Sequence, residues 1–285
     1  MKLINEGAEI FVPDGKPAGE ALKRTTHMGI SAHQDDIEIM AYDGILKCFG
    51  RDDRWFLGVV VTNGAGSPRD DLYASYTDEQ MRLVRKKEQK KAAFAGEYTA
   101  AVLLDYTSSA VKDPGNRDVV EEIKKLVEVA RPEVIYTHNL ADKHDTHVAT
   151  AIKVIKALGE LPGDVRPGKL YGCEVWRGLD WVNDDEKVMF DVSGHPNIAA
   201  ALVEVYDSQV CGGKRYDLAT AGRRLANATY AASHGVDVAS AITYAMDLTP
   251  LIEDESIDIC KYVTDYIERF KNDVSKRIIA LTKAD

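Results

Sequence analysis

The chain alternates short apolar strand-like runs with helical patterns through most of its length, and this order constrains its fold more than any other feature. Runs at 26–32, 55–62, 100–105, 133–137, 170–176 and 187–192 read as strands, and helical spacing fills the gaps between the first five. Parallel strands need such crossovers, so the expected architecture is α/β, a Rossmann-like three-layer fold with a mostly parallel sheet plus a C-terminal helical extension. No Gly-x-Gly-x-x-Gly fingerprint follows the first strand, which removes the usual support for dinucleotide binding. Residues 1–25, with Pro13, Gly15, Pro17 and Gly19, read as an irregular arm; 26–250 as the main domain; and 251–285 as an amphipathic terminal helix. In that helix Cys260, Val263, Ile267, Phe270 and Val274 form an apolar seam that Arg277 interrupts. The seam either docks on the body or pairs with a second subunit, so a homo-oligomer stays open.

In an open parallel sheet, ligands collect where strands end. The strand at 26–32 runs directly into His33-Gln34-Asp35-Asp36-Ile37-Glu38, and Ile37, Met40, Ala41, Gly44, Ile45 and Cys48 then recur at helical spacing. An imidazole and a carboxylate on one strand-to-helix turn are two ligands of the kind a catalytic zinc uses. Adjacent aspartates do not both turn toward one ion, so one is free to take a proton from water that the ion activates. The competing account is a plain helix N-cap pair. A second strand end weighs against it: residues 134–147 place His138, His144 and His147 within ten positions, three of the seven histidines of the chain.

With both segments in view, the chain resembles the PIG-L/LmbE-like zinc deacetylases. His33-Gln34-Asp35-Asp36-Ile37-Glu38 is similar to their His-Pro-Asp-Asp-x-Glu signature, and His144-Asp145-Thr146-His147-Val148-Ala149 to their His-Pro-Asp-His-x-Ala. The resemblance implies His33, Asp36 and His147 as ligands of zinc, with ferrous iron the other candidate. It implies Asp35 as general base and His144, protonated, as the group that stabilises the oxyanion. Shorter echoes are Val61-Thr62-Asn63-Gly64, Arg85-Lys86-Lys87-Glu88, Phe190-Asp191-Val192-Ser193 and Ser208-Gln209. Three departures stand out. Gln34 replaces the usual proline, Thr146 replaces an aspartate whose orienting role falls to Asp142, Asp145 or nothing, and Tyr206 replaces a histidine two positions before the Ser-Gln pair.

The implied activity is removal of an N-acetyl group from an N-acetylglucosamine-type sugar or conjugate, the sugar coming from the resemblance alone. A noncatalytic metal-containing sugar-binding protein and an amidohydrolase of a non-sugar or thioconjugate amide are the alternatives. Candidate substrate contacts are Asn63 and Arg69 on the Gly-rich 63–71 loop, Arg85, Asp142 and Trp176, with Trp181 flanking the same stretch. The basic set Arg82, Arg85, Lys86, Lys87, Lys90 and Lys91 alternates with Glu79 and Glu88 and reads as a solvated helix face.

At 285 residues and 45% apolar content, the chain can bury one large core. A net charge of −10 argues against nucleic-acid or anionic-membrane surfaces. Neither a signal-peptide pattern nor a run of about 18 apolar residues is present, so the expected location is cytoplasmic. Cys48, Cys173, Cys211 and Cys260 are scattered singly, as expected of buried thiols, and Asn227-Ala228-Thr229 sits in an Ala-rich helical pattern.

Overall fold

The computed structural model describes residues 2–282. Eight strands are β1 (Glu9–Phe11), β2 (His27–Ser31), β3 (Phe56–Thr62), β4 (Ala100–Tyr106), β5 (Val134–His138), β6 (Lys169–Cys173), β7 (Val188–Asp191) and β8 (Ile242–Asp247). The helices are α1 (Ala18–Lys23), α2 (Asp36–Met40), α3 (Tyr42–Cys48), α4 (Asp78–Ala95), α5 (Ser108–Lys112), α6 (Asp118–Ala130), α7 (Asp145–Gly159), α8 (Pro196–Glu204), α9 (Asp207–Val210), α10 (Tyr216–Tyr230), α11 (Pro250–Glu253) and α12 (Ile259–Thr282).

The sheet runs β1-β4-β3-β2-β5-β6-β8-β7. Strands β4, β3, β2, β5 and β6 are mutually parallel, while β1 is antiparallel to β4, β8 to β6 and β7 to β8. Successive side chains of a strand point to opposite faces, so Leu57, Val59 and Val61 enter one core with helices α1, α6 and α7. Phe56 and Val60 enter the other, with α2, α3, α4 and α8. The result is the expected three-layer α/β fold. Buried on both faces, β3 needs the continuous apolar run that the sequence shows.

All six expected strands are present to within a few residues. Two others escape the sequence reading. β1 and α1 lie inside the stretch expected to be an irregular arm; Glu9–Phe11 is only three residues long and is held in place by β4. β8 pairs antiparallel between β6 and β7 and reverses the edge of the sheet. Only Cys48 and Cys173 are buried; Cys211 and Cys260 are exposed free thiols, contrary to expectation. Residues 227–229 lie within α10, as their Ala-rich pattern predicts. No described helix is long and apolar enough to cross a membrane.

The terminal helix divides along its length. Val263 and Tyr266 are buried, and Phe270 packs edge-on to Trp181 at 6.5 Å between ring centroids. Beyond them Val274, Ile278 and Leu281 are exposed. Of the seam only Val263 is buried, while Cys260, Ile267 and Phe270 stay exposed, so the helix docks on the body through Val263 and Tyr266, with Phe270 against Trp181.

Candidate active site

β2 is the strand at which the chain order reverses: β3 and β4 follow on one side, β5 and β6 on the other. A crevice opens at the carboxyl ends of strands flanking such a switch point. Both histidine segments end there, because β2 leads into His33–Asp36 and β5 into the loop that reaches His144 and His147.

Three donor atoms converge. His33 Nδ1 is 3.2 Å from Asp36 Oδ2 and 3.2 Å from His147 Nε2, and the latter two are 3.3 Å apart. A tetrahedral ion with ligands at about 2.0 Å has ligand–ligand edges of about 3.3 Å, so this triangle is one face of such a polyhedron. The donor set, two imidazoles and a carboxylate, suits zinc or another divalent transition metal. Two other three-residue groupings around the same atoms, His33 with His144 and His147 and Asp36 with His138 and His147, also bring potential metal donors together. The turn is built to aim these groups: the His33 backbone N–H donates to Asp36 Oδ2 at 2.7 Å, and Ser31 Oγ donates to the His33 carbonyl at 2.9 Å.

Behind the triangle, His147 Nδ1 lies 3.2 Å from Asp142 Oδ2, the carboxylate–histidine pairing that fixes a ligand ring and its tautomer. Asp142 also accepts from the backbone N–H groups of Lys143, His144 and Trp176. It is thus a buried support for His147 and not a substrate contact, and it fills the role that Thr146 cannot. Asp145 is exposed on the first turn of α7. His138 is the member that sequence reasoning left without a role. Its ring stacks on His147 at 3.9 Å, and its Nε2 accepts from the Ala32 N–H at 2.8 Å, which commits that lone pair to the backbone.

Asp35 takes a separate path. Its φ of 82° is costly for a residue with a Cβ, and that backbone turn swings its carboxylate away from Asp36. There Arg85 Nη2 donates to Asp35 Oδ2 at 2.8 Å and to the Gln34 carbonyl, while Nη1 reaches Glu88 Oε2 at 3.4 Å. Glu88 in turn accepts from the Ser208 N–H and hydroxyl, both at 2.7 Å. Arg85 is 1% exposed, so the expected solvated face of α4 is wrong for this residue and for Glu88: the helix turns that stripe inward, with Gln89 beside them. Gln34, in the proline position, ties the turn to β3 by donating Nε2–H to the Thr62 carbonyl at 3.0 Å. Gly64 is required opposite it. Its φ is +69°, and a Cβ there would lie 2.4 Å from Gln34 Oε1.

Electrostatics separate the carboxyls. Burial pushes Asp35 up to about 7, with Asp36 and Glu38 adding to the rise and Arg85 opposing it. Burial also acts on Asp36, but His147 and His138 outweigh it and hold that carboxyl well below its usual range. Burial and the neighbouring His147 and His33 lower His144 to about 4. Glu38 lies deeper, accepting from Tyr98, Tyr206 and Gln89 at 2.7, 2.8 and 2.9 Å. The Tyr206 departure thereby has a structural use.

A cavity of about 440 Å³ covers the cluster, lined by His33, Asp35, Arg85, His144 and Trp176 among others. Of the expected substrate contacts, Arg85 and Trp176 line it. Asn63 and Arg69 do not. Asn63 Oδ1 caps the Ala65 N–H, and Arg69 is bound to the Ala65 and Tyr76 carbonyls and to Asp78, so both hold their own loop together. Gln209, Lys214 and Tyr216 line the cavity from the α9–α10 region, and Ser108 and Lys112 from α5. Apart from the Ser-Gln pair, nothing in their local sequence marked them.

Residues 28–158 match the family model "PIG-L: GlcNAc-PI de-N-acetylase". No curated protein matches the chain. Solved structures similar in fold include the 4-carboxy-2-hydroxymuconate hydratase GalB from Pseudomonas putida, at 14% identity and TM-score 0.61, covering 79% of this chain and 96% of that one. N,N'-diacetylchitobiose deacetylase from Pyrococcus horikoshii matches at 15% identity and TM-score 0.60, with coverage of 77% and 83%. A triple mutant of a deacetylase from the teicoplanin biosynthetic pathway matches at 17% identity and TM-score 0.55, with coverage of 78% and 97%. At these identities the structures establish a common fold.

Proposed function

We propose that this chain, whose residues 28–158 match the PIG-L family model, is a zinc-dependent amidohydrolase that removes the acetyl group from an N-acetylglucosamine-type sugar or conjugate. The observation that carries the reading is the division of labour between adjacent aspartates: Asp36 closes a metal-sized triangle with His33 and His147, while Asp35 stands outside it on Arg85. A divalent ion in that triangle supplies Lewis acidity, polarising the amide carbonyl and making water more acidic.

Asp35 then accepts a proton from the attacking water as the C–O bond forms, and returns it to the nitrogen as the C–N bond breaks, leaving acetate and a free amine. Its tie to Arg85 fixes the carboxylate's direction while burial keeps it basic enough for the transfer. His144, neutral, donates an N–H to the carbonyl oxygen where negative charge develops, worth most in a site that excludes water. Asp142 holds the His147 ring in place throughout.

The test is acetate release from N-acetylglucosamine and its conjugates by the metal-replete protein, alongside Asp35→Asn. The variant is expected to keep its metal and lose roughly 10² to 10⁴ in turnover, the usual worth of a general base. Full activity in Asp35→Asn would remove it as the base. A second reading, addition of water to a carbon–carbon double bond, draws support from the hydratase that shares the fold; loss of an unsaturated acid's ultraviolet absorbance, with no acetate from any amide, would favour it.

A further inference from the structure

The inner charges of the cavity are matched: Asp35 by Arg85, and Asp36 by the histidines around it. Beyond these, the charged side chains that line it are Lys112, from the last turn of α5, and Lys214, from the loop before α10. Among the described residues Asp35 is the only carboxylate in the lining. Among the described residues neither ammonium has an ion-pair partner, whereas Lys86, Lys90 and Lys124 on nearby helices each reach a carboxylate. Lys214 Nζ sits 5.0 Å from the Trp176 ring centroid, and Lys143 Nζ, likewise unpaired, 6.0 Å from the same ring. Ser67, Ser108 and Gln209 add neutral hydrogen-bonding groups to the lining.

This positive rim belongs to a chain of net charge −10, so it is a local arrangement and not an overspill of a basic protein. We propose that the substrate of this site carries an anionic group, a carboxylate or a phosphate, held between Lys112 and Lys214 while the amide lies over His33 and Asp36. The inference rests on the amide-hydrolysis reading above. Lysine binds as a point charge, without the planar fork by which arginine selects among oxyanions, so the two lysines accept either anion.

Binding and turnover are measured separately. Calorimetry on metal-replete Asp35→Asn protein compares N-acetylglucosamine with N-acetylglucosamine 1-phosphate and with a carboxylate-bearing N-acetylglucosaminide; acetate release from the same three probes is followed with the unsubstituted enzyme. The charged probes are expected to bind about tenfold tighter at low salt, about threefold for each partly solvated lysine, with the advantage shrinking in about 0.5 M salt. Lys112→Met together with Lys214→Met should reduce that ratio to near unity, and arginine at both positions should preserve it. Equal affinity for charged and neutral probes, or an advantage that survives the double methionine variant, overturns the proposal. A charge preference without acetate from any probe upholds the anion site and sinks the deacetylase reading; acetate from all three without preference does the reverse.

Discussion

The parallel half of the sheet and its antiparallel edge furnish the cavity in different ways. From the parallel half come His33, Asp35, Asp36, His144 and His147, each within nine residues of the end of β2 or β5, on turns that the strands themselves aim. From the other side come Trp176, which closely follows β6, the last of the parallel strands, and Gln209, Lys214 and Tyr216 from the α9–α10 region, placed by the long connection between the antiparallel strands β7 and β8. Groups that touch the reacting atoms must be held to fractions of an ångström, which short turns on rigid strands provide. Groups that recognise the rest of a ligand tolerate looser placement on loops.

The sharpest way to break this contrast is to remove a ligand. His147→Ala or Asp36→Ala leaves two donors and is expected to reduce bound metal from about one ion per chain to near none, with activity lost alongside it. Elemental analysis of the purified variants decides it, and circular dichroism close to wild type would show that the turn was removed without the fold. Full occupancy in both variants would place the ion on donors other than Asp36 and His147 and overturn the ligand assignment.

Arg85 tests the same half through stability. It is the buried partner of both Asp35 and Glu88, so Arg85→Ala strands two carboxylates away from water. Breaking a buried pair from one side costs about 3–5 kcal/mol, a loss that urea unfolding would read directly. A change below about 1 kcal/mol would mean that water reaches this chain of groups, and that Asp35 is not held as the geometry describes.

How much could be read in advance follows the same division. The two histidine segments were legible because each packs its donors into a few consecutive residues after an apolar strand, and the three-layer sheet followed from strand–helix alternation. The inward turn of Arg85 was not legible, because α4 has charges around most of its circumference and only the tertiary position of Asp35 and Ser208 shows which stripe is buried. β1 and β8 were missed for a related reason. Three residues beside prolines and glycines carry no period, and Ile242–Asp247 becomes a strand through pairing with β6 and β7, far away in sequence. Asp142 was visible as an acid near the motif, but its use depends on the ring of His147 facing it.

Among the groups that lie beyond β5, Trp176, just after the last parallel strand, is the residue with most to lose. It sits against His144 at 6.2 Å between ring centroids and edge-on to Tyr216 at 6.1 Å, forming the cavity wall opposite the β2 turn. Trp176→Ala should spare the metal and raise KM for an acetamido sugar about tenfold, in line with the loss of one stacked aromatic contact. A fall in kcat with unchanged KM would instead make Trp176 part of the chemical step, erasing the distinction between the two sides.

The smallest effect is expected at Arg69, which the sequence offered as a substrate clamp. Its guanidinium is already spent on the Ala65 and Tyr76 carbonyls and on Asp78, and none of its atoms lines the cavity. Removing it leaves two carbonyls near solvent that water can satisfy, so Arg69→Ala should cost no more than about 1 kcal/mol in stability. Discrimination between charged and neutral acetamido probes should stay within about twofold of wild type, since the anion contacts lie on Lys112 and Lys214. A discrimination lost in Arg69→Ala while Lys112 and Lys214 are intact would show that the 63–71 loop rearranges to bring this arginine into the site, and the turn after β3 would then join Lys112, which follows β4, in giving the parallel half a part in recognition.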